Sequence, residues 1–147
     1  PEILKERGLS EALSQVGRRM VAASSMEIKT EIIGQPRRLP VRLVDALFRI
    51  GQEAIANAVQ HSHAKHVRIV LDYQRSQLMM AVEDDGRGFR ADCESEGFGL
   101  TGMRRRAEGI HAKLEIESNG VGTRIVVTAP WKSDTSWLSF LSYRKKA

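Results

Sequence analysis

The chain has 147 residues, 41% apolar and 28% charged, with a net charge of +5; this is the make-up of one globular domain able to bury a core of its own. No apolar run approaches the ~20 residues that a bilayer span requires, and no signal-peptide pattern opens the sequence, so a cytosolic domain, or the cytosolic piece of something larger, is expected. The bases form no single stripe, with Arg104, Arg105 and Arg106 in one place and Arg144, Lys145 and Lys146 in another, so no nucleic-acid partner is expected; the lone Cys93 can make neither an internal disulfide nor a thiolate metal cage.

Ser10 reads as the N-cap of a helix running to about Ala23, with Leu13, Val16, Met20 and Ala23 at helical spacing. Met26 to Ile33 alternates as a strand does and is broken by Gly34-Gln35-Pro36. A long helix begins near Pro40 and continues to about His61, carrying Leu43, Leu47, Ile50, Ala54 and Ala58 as its apolar stripe. Val67 to Tyr73 and Leu78 to Val82 alternate about the turn Gln74-Arg75-Ser76, which predicts an antiparallel hairpin. A helix from Met103 to Ile110 follows, and a second hairpin pairs Leu114–Glu117 with Thr123–Thr128. Helices with one apolar stripe beside strands with one apolar face predict a two-layer α/β sandwich: a mixed, mainly antiparallel sheet covered on one face by helices.

Two glycine clusters interrupt this frame, Asp84-Asp85-Gly86-Arg87-Gly88-Phe89 and Gly97-Phe98-Gly99-Leu100-Thr101-Gly102. The first follows a strand, so the Asp84 carboxylate emerges at a strand end, where it can accept a hydrogen bond from an amine. The second runs into a helix, whose N-terminal N–H groups and dipole favour an anion such as phosphate. On the long helix Glu53 and Asn57 lie one turn apart on one face, expected to turn away from the apolar stripe. A carboxylate and an amide oxygen so placed suit Mg²⁺, which takes few protein ligands and shares the rest with water and phosphate.

Together with Gly122-Thr123 and the stretch Gln52-Glu53-Ala54-Ile55-Ala56-Asn57-Ala58-Val59-Gln60-His61, these clusters resemble the four nucleotide motifs of the histidine-kinase-type ATPase superfamily, in order and spacing. The flanks Leu47-Phe48-Arg49-Ile50 and Gly102-Met103-Arg104-Arg105-Arg106-Ala107 are most similar to the nitrate-sensor class of bacterial two-component sensor kinases. The resemblance implies a Bergerat-type fold over residues 1–130, ATP and Mg²⁺ as cofactors, and transfer of the γ-phosphoryl group to a histidine on a separate dimerisation domain. A response regulator, a homodimeric parent and a monomeric isolated domain are further implications. It places adenine recognition on Asp84 with Thr123 behind it, a Mg²⁺ ligand on Asn57, and orientation of a water or metal ligand on Glu53. Gly86 and Gly88 would pass close to the base, and Gly97, Gly99, Leu100 and Gly102 would wrap the phosphates.

Departures from the class are informative. Gln60 stands where a basic, phosphate-facing residue is common, so His61 or an arginine must compensate; His111-Ala112 replaces paired glycines and should stiffen that loop. None of His61, His63, His66 and His111 has the setting of a phospho-accepting histidine, so this chain is expected to bind ATP without phosphorylating itself. Of the three crowded near the long helix's end, carbonyl-end contacts are expected over a metal cluster. The short acidic lid between Gly88 and Gly97 should be poorly ordered without nucleotide. A serine-kinase anti-sigma factor shares such a site, and a silent ATP-binding module is a further alternative. The aromatic tail 131–147 fits none of these; packing on the sheet edge, contact with another chain and disorder all stay open.

Overall fold

The computed structural model describes residues 2–88 and 99–131, with side chains from Gly8 onward. The elements run α1 (Glu2–Val21), β1 (Glu27–Ile33), α2 (Val41–His61), β2 (His66–Tyr73), β3 (Gln77–Asp84), α3 (Leu100–Gly109), β4 (Lys113–Asn119) and β5 (Gly122–Pro130). The strands form one five-stranded sheet in the order β1-β2-β3-β5-β4. Only β1 and β2 run parallel; β2–β3, β3–β5 and β4–β5 are antiparallel. A parallel pair needs a long crossover, and α2 supplies it.

α1 is bent at Gly8, whose φ of 75° and ψ of 171° are not helical. The second helical piece therefore opens at Gly8 rather than at the expected Ser10, and Ser10 lies inside it, its carbonyl accepting from the Ser14 hydroxyl at 2.8 Å. The helix also stops at Val21, which is buried, so Ala23 is not part of its stripe. Pro40 is the N-cap of α2, with φ −54° and ψ 142°, one position before the first turn. The predicted stripe Leu43, Leu47, Ile50, Ala54 and Ala58 is buried throughout.

All three helices lie on one face of the sheet, where Leu13, Leu47, Ile50, Ile55, Ile69, Leu71, Leu78, Met80, Met103 and Val127 make a continuous core. The opposite face carries an ion-pair row across four strands: Arg68 meets Glu31 and, at 3.1 Å, Glu83, which also holds Arg124 at 3.0 Å. A small apolar strip of Val70, Ala81 and Val126 lies beside it. Trp131, assigned to the tail by its sequence position, belongs to the core instead. It is 9% exposed, its indole N–H donates to the Arg75 carbonyl at 3.2 Å, and the Arg37 guanidinium lies 3.9 Å over its ring. The acidic lid, with Gly97 and Cys93, and the tail beyond Trp131 lie outside the described residues.

Candidate functional site

Asp84 is the last residue of β3 and pairs in register with Thr123, the second residue of β5. Two central strands thus end side by side, opposite the C-terminal half of α2. Ala54, Asn57, His61, Ser62, Val82, Asp84, Gly88, Thr123 and Ile125 line the cavity between them. Its walls are apolar with a few convergent polar groups, the lining of a small-molecule site, and the space they enclose is about 10 Å³. The fold places the first glycine cluster at this cavity, while the second forms the start of α3, with Gly99 as its N-cap.

The Asp84 carboxylate is half-buried, and its Oδ1 accepts from the Gly86 N–H at 2.9 Å. Burial pushes its pKa up; the negative Asp85 beside it pushes the same way, while hydrogen bonds from the Gly86 and Thr123 backbones and the Ser62 side chain pull it back. Thr123 is 6% exposed, and its hydroxyl lies 3.0 Å from that of Ser118. Asp84 therefore has a fixed direction and a ligand-facing side, as base recognition requires.

Asn57 departs from expectation. It is 7% exposed and faces the cavity, not solvent, whereas Glu53 one turn earlier is exposed. At about 100° per residue, Asn57 falls inside the edge of the buried sector of α2 and Glu53 just outside it, so the pair straddles the boundary. Glu53 lies against the start of α3: a β-carbon on Gly99 would come 2.8 Å from its carboxyl carbon. The site thus joins α2 to α3, with Glu53 at the second glycine cluster and Asn57 at the base cavity. Gly102 sits on the first turn of α3, and Leu100 is fully buried beneath it.

The first glycine cluster is held by protein as well as facing the cavity. A β-carbon on Gly86 would stand 2.5 Å from the Ser62 Cβ and 2.7 Å from its carbonyl carbon, so no other residue fits without moving backbone. Gly88, with φ of 71°, would meet the Ser118 hydroxyl at 2.8 Å. The Arg87 N–H donates to the Ser62 carbonyl at 2.8 Å and its Nε–H to the His61 carbonyl at 3.2 Å. The loop is thereby fastened to the last turn of α2, where free carbonyls need donors.

Ser62 and Asp85 were not visible as site residues in the sequence. Ser62 is buried as the C-cap of α2; its hydroxyl accepts from the Ala64 N–H at 3.1 Å and has one proton to share between the Ala58 carbonyl, 2.5 Å away, and the Asp84 carboxylate. Asp85 accepts from the N–H groups of Lys65 and His66 at 2.8 and 2.9 Å and meets the His66 ring nitrogen Nδ1 at 2.6 Å. That clasp, led by the His66 side chain, brings its pKa down to about 2. A serine after a helix and an aspartate in a turn have no distinguishing local pattern; the contacts that bring them to the site, Ser62 with Asp84 and Asp85 with Lys65 and His66, join residues about 20 apart in sequence. Among the described residues no group of three His, Cys, Asp or Glu is placed to hold a metal by itself. His66 instead serves Asp85, and His61 lines the cavity.

The profile described as "Histidine kinase-, DNA gyrase B-, and HSP90-like ATPase" matches residues 43–133, and the chain belongs to this ATP-binding family. It is 35% identical over 132 residues to the sensor histidine kinase LiaS of Bacillus subtilis, covering 88% of this chain and 36% of that protein. It is 35% identical over 136 residues to the sensor protein VraS of Staphylococcus aureus, covering 91% of this chain and 39% of that one. The chain thus spans under two-fifths of these curated relatives and corresponds to their ATPase domain. Among solved structures, the histidine kinase domain of an Erythrobacter litoralis blue-light activated kinase superposes with a TM-score of 0.72 at 23% identity, over 87% of this chain and 67% of that one. The catalytic domain of histidine kinase ThkA does so with 0.71 at 13%, over 84% and 92%. At that identity these two show the fold.

Proposed function

We propose that the chain is the catalytic part of a bacterial sensor histidine kinase, transferring the γ-phosphoryl group of ATP to a histidine on a separate dimerisation domain. The observation that carries this reading is the strand-end Asp84, anchored by Gly86 and Thr123 with its base-facing side toward a cavity that α2 closes. An ionised carboxylate only accepts, so it favours the adenine amine over the guanine carbonyl at the same place; a hydrogen bond to a charged group is worth about 1.5–3 kcal/mol. Thr123 supports that carboxylate from the neighbouring strand.

In this reading the phosphates extend from the cavity toward α3, where Gly99, Leu100 and Gly102 present backbone N–H groups at the positive end of the helix dipole. The donor set suits Mg²⁺ arriving with the nucleotide: Asn57 gives a neutral amide oxygen in the cavity and Glu53 an exposed carboxylate one turn away, too few ligands to cage an ion unaided. Mg²⁺ bound there would neutralise developing charge on the phosphates. His61, which lines the cavity, is the side chain this reading assigns to the sugar or phosphates. The protein's own contribution is positioning and electrostatic stabilisation rather than a covalent intermediate.

The partners under this reading are the dimerisation domain bearing the histidine and, after it, a response regulator, with the parent a homodimer and this domain alone a monomer. No helix among the described residues is long and apolar enough to cross a membrane, and we place the domain on the cytoplasmic side. Incubation with γ-labelled ATP, with and without an added dimerisation domain, tests the proposal. Label should appear on the added domain's histidine alone; label on this chain by itself, or on a serine of the partner, would refute it.

A further inference from the structure

We infer that Ser62 is the positioning residue behind base specificity at this site: its hydroxyl decides which lone pair of the Asp84 carboxylate is left to meet the exocyclic amine of adenine. The inference rests on the nucleotide reading above and deepens it, from the side chain that reads the base to the group that aims that side chain.

Ser62 ends α2 as its C-cap, at φ −91° and ψ −19°; it is 5% exposed and lines the same cavity as Asp84. Each part of it meets the base-reading loop. Gly86 lies against its Cβ so closely that an added β-carbon would stand 2.5 Å away, its carbonyl accepts from the Arg87 N–H at 2.8 Å, and its hydroxyl bonds the Asp84 carboxylate. Asp84 in turn is held by the register of β3 with Thr123 of β5. The backbones on both sides are thus fixed, and what stays adjustable is the rotation of the carboxylate between them.

A carboxylate offers about four lone-pair directions. The Gly86 N–H takes one on Oδ1 at 2.9 Å, the Thr123 backbone a second and the Ser62 hydroxyl a third, which leaves about one for a ligand. The first two donors are main chain and would be there with any side chain at those positions. The third is the one that the identity of a residue supplies. Its proton has a competing acceptor, the Ala58 carbonyl at 2.5 Å. A bond to an ionised acceptor is roughly twice as strong as one to a neutral acceptor, so the ionised Asp84 draws the proton away from Ala58. Ser62 therefore supports the form of Asp84 that only accepts, and fills the direction facing α2. Without the hydroxyl two directions stand open, and the carboxylate can turn from the cavity toward the end of α2.

Ser62→Ala removes the hydroxyl alone, since it keeps the Cβ against Gly86 and the carbonyl that holds Arg87. Calorimetric titration of the full chain with ATP·Mg²⁺ and with the Mg²⁺ complex of purine riboside triphosphate, which lacks only the amine, tests the inference. Wild type should prefer ATP by about tenfold, the lower end for a hydrogen bond to a charged group. In Ser62→Ala that preference should narrow by about threefold, within the worth of one hydrogen bond, with the loss falling on ATP. Ser62→Cys, whose thiol fills the place but donates weakly, should repeat the narrowing and stands in where the alanine protein does not fold. In an Asp84→Asn background Ser62→Ala should leave the ratio of the two affinities unchanged, because Ser62 acts through that carboxylate. Ser14→Ala, whose hydroxyl bonds Thr30 instead, should match wild type. An unchanged preference in Ser62→Ala, whether both ligands bind as to wild type or both weaken equally, would overturn the inference while leaving the nucleotide reading in place. Wild type that binds no ATP, or binds the two ligands equally, would overturn the reading of Asp84 as well.

Discussion

Gly86→Ala separates a packing role for the first glycine cluster from a ligand role. The added β-carbon would stand 2.5 Å from the Ser62 Cβ, 2.7 Å from its carbonyl carbon and closer still to its oxygen, when contacts below 3.0 Å essentially never occur. Those atoms belong to the buried C-cap of α2 and cannot rotate away, so the loop must lift by about an ångström. Such overpacking costs roughly 1–3 kcal/mol. Lifting also breaks the 2.8 Å bond from the Arg87 N–H to the Ser62 carbonyl, worth about 0.5–1.5 kcal/mol. The sum is about 1.5–4.5 kcal/mol, and at an m-value of about 1.5 kcal/mol/M the urea midpoint should drop by roughly 1–3 M. Gly109→Ala is the control, since a β-carbon there meets nothing within 4 Å; it should hold or slightly raise the midpoint. If local opening relieves the clash, the midpoint moves less and the Arg87 amide exchanges faster instead. A Gly86→Ala protein with both the wild-type midpoint and the wild-type Arg87 exchange rate would refute the reasoning.

Three other changes probe the same frame. Asp84 has a raised native pKa, so its ionisation opposes folding and that share of stability is lost as pH rises from about 3.8 through the raised value; Asp84→Asn should therefore melt no lower than wild type at pH 7 while binding ATP about 10–100-fold more weakly, and a lower melting temperature would contradict the assignment. Asp85 titrates the opposite way: held at about 2, it contributes stability above pH 3.8 that disappears as pH falls toward 2. Because Asp85 is 47% and His66 61% exposed, solvent screening keeps the effect to about 1 kcal/mol or less, and acid unfolding of Asp85→Asn should lack that component. His111 occupies the left-handed position after α3 at φ 56°, with its N–H donating to the Glu108 carbonyl at 3.1 Å and that of Ala112 to Ala107 at 2.8 Å. His111→Gly should raise stability by about 0.5 kcal/mol in a thermal melt where His111→Ala should not, since only glycine relieves the β-carbon strain.

The departure at His111-Ala112 thus has a local explanation: the turn keeps its glycine-like geometry and bears strain in place of a glycine. Much else was legible because it is written in short-range pattern. The stripe Leu43, Leu47, Ile50, Ala54 and Ala58, the alternation of Val67 to Tyr73 and the glycines before α3 each signal their element within a few residues, and the motifs pointed to the family that the profile match then showed. Periodicity does not tell which polar residue at a stripe's edge turns inward, and so Asn57, expected to turn away from the apolar stripe, is buried at its edge and faces the cavity.

Local chemistry along the chain was enough to specify the helices, the two hairpins, the glycine loops and the strand-end position of Asp84, because each depends on spacing, turn residues and capping among near neighbours. Folding in three dimensions selected Ser62 as the buried brace beside Asp84, Asp85 as a clasp on His66, and Trp131 as core. Those assignments arise from the register of β3 with β5 and the packing of α2 and α3, contacts between distant residues whose identities carry no mark of the partner they meet.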